Sequence, residues 1–96
     1  MNGRIDFSGN RYFGSQEHHE DRTRLVSTLI DAVHGVNGAV ALDVIDEAVA
    51  LCGSEMVSDV VSDARYELTM SGASRTKVAT LNALVATACA IRGVTR

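Results

Sequence analysis

Apolar residues recur at three- and four-residue spacing along most of the chain. That is the period of amphipathic helices, not the alternation of strands. Leu25, Val26, Leu29, Ile30 and Val33 make the first such stripe. Ser15 offers an N-cap ahead of it, and Glu17, Glu20 and Asp21 suit the positive end of a helix dipole. Gly35 and the pair Asn37-Gly38 are expected to end this helix, because glycine accepts the left-handed cap that other residues resist. A second helix is predicted from about Ala39 to Cys52, with Leu42, Ile45, Val49 and Cys52 on one face. Gly53-Ser54 reads as a cap or kink. A third stretch then runs to about Met70, burying Val57, Val60, Val61, Ala64 and Leu68. Ser71-Gly72 breaks it, Ser74 caps a last helix, and Gly93 ends that one.

The last helix has an unusual pattern. Between Lys77 and Arg92 it carries no charge, and only Thr80, Asn82 and Thr87 are polar. Val78, Leu81, Leu84, Val85, Cys89 and Ile91 spread over one wide face, while Ala79, Ala83, Ala86 and Ala90 fall together on another. A helix that is apolar almost all round must be covered on more than one side. A short chain has material to cover the large residues but little for the alanines, so the stripe is expected to be a seam between copies.

Residues 4–13 are irregular by contrast. Ile5 and Phe7 alternate ahead of a Ser8-Gly9-Asn10 turn signal, and Tyr12-Phe13 precede Gly14. The expected architecture is therefore all-α: a small antiparallel bundle of three to four helices, assembled as a homo-oligomer. Residues 1–14 form a short aromatic arm and residues 15–96 the bundle.

Composition agrees with a single small domain. The chain has 96 residues, 46% hydrophobic and 22% charged, with no proline or tryptophan. No segment approaches the ~20 apolar residues that cross a bilayer, and the polar start is unlike a signal peptide, so no membrane partner is expected. Two cysteines do not make a disulfide scaffold, which points to a reducing, cytoplasmic setting.

Charge narrows the partners further. Asp43, Asp46, Glu47, Glu55, Asp59, Asp63 and Glu67 crowd the middle, while Arg75, Lys77, Arg92 and Arg96 leave the end basic and free of acids. A net charge of -3 argues against direct DNA binding, which needs a clustered basic surface. On the third stretch Tyr66 points away from the buried stripe, with Met70, Asp59 and Glu55 as neighbours. An exposed tyrosine and methionine in an acidic setting have the character of an interface hot spot. Asp59, Asp63 and Glu67 repel one another at four-residue spacing and invite a cationic neighbour.

Catalytic chemistry is hard to find. Adjacent His18 and His19 diverge by ~100° on a helix and cannot chelate one ion together. The carboxylate pairs Asp59/Asp63 and Asp43/Glu47 have no histidine to complete a metal site. Cys52 and Cys89 fall on apolar faces, where a thiol behaves as a small hydrophobe. There is no nucleophile-elbow serine and no glycine-rich phosphate loop. Neither an enzyme nor a cofactor is expected.

Two binding functions remain. The first is a helical homo-oligomer that contacts another protein through Tyr66, Met70, Asp59 and Asp63, as regulator, adaptor or inhibitor. Spaced carboxylates also suit nucleic-acid mimicry, a device of small virus-encoded inhibitors. The second is an anionic nucleotide held at subunit seams, its base stacked on Tyr12 beside Phe13 and its phosphates on Arg11, Arg22 or Arg24.

Overall fold

The computed structural model describes residues 18–94, and within them every regular element is a helix. Three helices follow one another: α1 (His19–Gly35), α2 (Gly38–Met70) and α3 (Arg75–Arg92). The Ser15 cap and the arm at 1–14 lie outside the described residues.

Helix α2 is two arms meeting at a break. Cys52 (φ -153°, ψ 26°) and Gly53 (φ 65°, ψ -154°) leave helical geometry, where the sequence places a cap or kink. The Gly53 conformation is one that essentially only glycine adopts. Leu51 and Cys52 beside the break pack against the core, so the change of direction keeps both arms on one apolar interior.

Local chemistry fixes the helix ends. Asn37 accepts a hydrogen bond from the Val40 amide at 3.1 Å, and Ser74 accepts one from Lys77 at 3.4 Å, each capping the helix that follows. All three helices finish with one paired backbone motif. At the end of α3, Gly93 donates to Ala90 and Val94 to Cys89; at the end of α2, Gly72 donates to Thr69 and Ala73 to Leu68. At the end of α1, Val36 donates to Val33 and Asn37 to Ala32. The left-handed residue there is Val36 (φ 48°), not the flanking Gly35 or Gly38. The expectation of a glycine cap fails because Asn37 is committed to capping α2, which fixes the register of the turn.

Chain neighbours pack side by side. Arg24, well before the end of α1, meets Glu47, a similar distance into α2, so these two run in opposite senses. Arg65 of α2 likewise meets Asn82 of α3 across their turn. Leu25, Leu29 and Val33 of α1 share one interior with Ile45, Met56, Val60 and Leu68 of α2 and Leu81 and Val85 of α3. The stripes expected on α1 and on the second arm of α2 lie in this core, with Ile30 only partly buried.

Two faces differ from the expectation. On the first arm of α2 the core positions are Ala41, Val44, Ile45 and Ala48; Leu42 and Cys52 are only partly buried, and Val49 is exposed. That arm is apolar on more than one side, and the alanine side is the one turned inward, where methyl groups allow close approach. On α3, Leu81, Val85, Ala88 and Cys89 are buried, but Ile91 is 58% exposed near the end of the helix. No helix among the described residues is long and apolar enough to cross a membrane.

Candidate functional site

The second arm of α2 presents Asp59, Asp63, Tyr66 and Met70 along one side, at spacings that return to the same face of a helix. Its opposite side supplies Val57, Val60, Val61, Ala64 and Leu68 to the core, which holds the outer row in place. Tyr66 is 65% exposed and Met70 67% exposed. The two aspartates have a cationic neighbour from their own chain. The Arg22 guanidinium of α1 lies 3.8 Å from Asp59 and 3.3 Å from Asp63. One arginine between two carboxylates relieves their mutual repulsion and leaves Tyr66 and Met70 as the open part of the row.

Arg24 is also engaged. It reaches across to both oxygens of Glu47, with Asp21 on its own helix as a further partner. These contacts raise the Arg24 pKa, chiefly through the hydrogen bond to Glu47, and hold the Glu47 carboxyl below its ordinary value for the same reason. Asp43, the fellow of Glu47 in the sequence pair, is exposed. Arg22 and Arg24 therefore spend their charge inside the fold, whereas Arg11, Tyr12 and Phe13 lie outside the described residues.

The outer face of α3 carries Ala79, Ala83, Ala86 and Ala90, all exposed. Thr76, Thr87 and Ile91 are exposed alongside them, and no charged side chain interrupts the row between Lys77 and Arg92. The inner face buries Leu81, Val85 and Ala88 in the core.

Between α2 and α3 runs an open groove of about 390 Å³, lined by Thr69, Ala73, Arg75, Val78, Ala79 and Asn82. Ala79 begins the alanine row, so the groove borders that row. Arg65 stands at its edge, donating to Asn82 at 2.9 Å. Sequence reasoning missed this groove. Its one trace was the acid-free stretch after residue 70.

The cysteines are a half-buried Cys52, whose thiol lies 3.6 Å from a Glu55 carboxylate oxygen, and a buried Cys89. Among the described residues no group of three or more histidine, cysteine or acidic side chains is placed to hold a metal ion. Comparison with known protein families, curated proteins and solved structures finds no match to the chain.

Proposed function

We propose that this chain is a non-enzymatic protein-interaction module, a small helical homo-oligomer that regulates, adapts or inhibits a partner protein. The observation that carries this reading is the uncharged, exposed outer face of α3, with Ala79, Ala83, Ala86 and Ala90 along it. Small side chains let two helices approach closely, and burying Ile91 beside them removes a large apolar side chain from water. A second copy offers the same face, and two-fold pairing of identical patches is the commonest closed assembly.

In such an assembly the outer row of α2 remains the contact with other proteins. Tyr66 and Met70 supply large, adaptable contact area, and Asp59 and Asp63 beside them supply charge. The nucleotide reading draws less support, since Arg22 and Arg24 already sit against carboxylates.

Sedimentation velocity across a concentration series tests the assembly. A mass at least twice 10.2 kDa in the micromolar range is expected. A chain that stays monomeric at high micromolar concentration defeats the proposal.

A further inference from the structure

The described arginines divide into two groups. Arg22, Arg24 and Arg92 each face at least one carboxylate within the chain. Arg65 and Arg75 face none among the described residues: Arg65 bonds only the neutral Asn82, and Arg75 makes no ion pair. Both of these border the same groove. Arg75 lines it directly, and Arg65 reaches it through Asn82, itself a lining residue.

We propose that the groove between α2 and α3 binds a small amphipathic anion, a carboxylate or phosphate carried on a short apolar body. The head group belongs at Arg75, whose planar guanidinium presents paired donors that match either anion. The first turn of α3 holds no acidic residue to compete for it, and the helix dipole adds positive potential there. The body belongs along Ala73, Val78 and Ala79, which give the groove its apolar wall. Asn82 and Thr69 add polar partners that orient the ligand. A space of about 390 Å³ lies at the small end of the range that ligand sites occupy. Neither Arg11, Arg22 nor Arg24 takes part, so this site is separate from the nucleotide site read from the sequence. It shares Ala79 with the seam proposed above, at the end of the alanine row nearest the groove.

The test is an NMR titration of the isotope-labelled chain with four probes: hexanoate, hexyl phosphate, inorganic phosphate and hexanol. Saturable shifts of the Thr69, Ala73, Val78, Ala79 and Asn82 amides are expected with hexanoate, hexyl phosphate or both. The tighter of those two identifies the head group. Arg75→Gln should weaken the binding about tenfold, since it removes a charge-assisted contact and disturbs no ion pair among the described residues. Arg65→Gln, checked for retained helicity, should weaken it less. The proposal is overturned if neither amphipathic anion produces saturable shifts there, or if hexanol matches them. It is equally overturned if inorganic phosphate alone binds as tightly, or if Arg75→Gln changes nothing.

Discussion

Arg24 of α1 grips Glu47 of α2 with both ends of its guanidinium, one of these contacts a 3.2 Å bond from Nη1 to Oε1. This clasp spans the first helical hairpin on its solvent side, joining two helices that share one core. It gives the fold a small, identifiable acid sensitivity.

The hydrogen bond from Arg24 holds the Glu47 carboxyl below its ordinary pKa. A folded-state pKa below the unfolded one adds stability at higher pH, and that stability is lost as pH falls through the folded value. The contribution is thus complete at neutral pH, begins to fade near the ordinary glutamate pKa and is lost as pH falls through the lower folded one. Glu47→Gln should lower the melting temperature slightly at pH 7 and flatten part of its fall in acid. Both effects should shrink in high salt, because the pair is exposed. Thermal melts across pH and salt check this, and identical pH profiles for the two proteins would contradict it.

Val36 occupies the left-handed position that Gly72 and Gly93 occupy at the other two helix ends. A β-branched side chain in that conformation is strained by about 1–2 kcal/mol. Part of any relief is lost to the greater unfolded-state freedom of glycine. Val36→Gly should therefore stabilise the chain by about 0.5–1 kcal/mol. Val36 is 66% exposed, so little packing is sacrificed. Urea denaturation gives the sign directly.

Gly53 has the opposite expectation. Space for a methyl group exists around it, yet its φ of 65° is one that side-chain-bearing residues rarely adopt. Gly53→Ala should destabilise the fold by about 1–3 kcal/mol through backbone strain alone. An unchanged denaturation midpoint would show that the break in α2 accepts ordinary residues.

These positions show what the sequence reveals and what it hides. Ser74, Gly72 and Gly93 were readable because caps and left-handed turns depend on a handful of adjacent residues. The Val36 cap was not, since two glycines flank it and the choice among them depends on Asn37 serving the next helix. The core stripe on the second arm of α2 was readable from Val57 to Leu68 because its outer side is acidic. The first arm, with Leu42 and Val49 competing against Ala41 and Val44, has apolar residues on two sides, and only packing selects one. The exposure of Tyr66, and the gathering of the four alanines on one face, followed from helical period. The groove depends on how α2 and α3 rotate against each other, and periodicity within one helix carries no such information.

Tyr66 tests the partner surface. With most of its side chain in water, Tyr66→Ala should change stability by no more than about 0.5 kcal/mol. Its affinity for a captured partner protein should fall by about 2 kcal/mol if the tyrosine anchors the contact. Calorimetric titration of that partner with both proteins separates anchor from bystander.

The outer face of α3 bears the central claim, and Ala83→Glu probes it most directly. In a single chain position 83 is exposed, so a carboxylate there should leave the fold within about 0.5 kcal/mol of the original. In a seam between two α3 helices the same carboxylate is buried without a partner, at several kcal/mol for each copy. Light scattering should report a multiple of 10.2 kDa for the original chain and a single-chain mass for the variant, with helicity unchanged. A variant that keeps the same oligomeric mass as the original would contradict the claim.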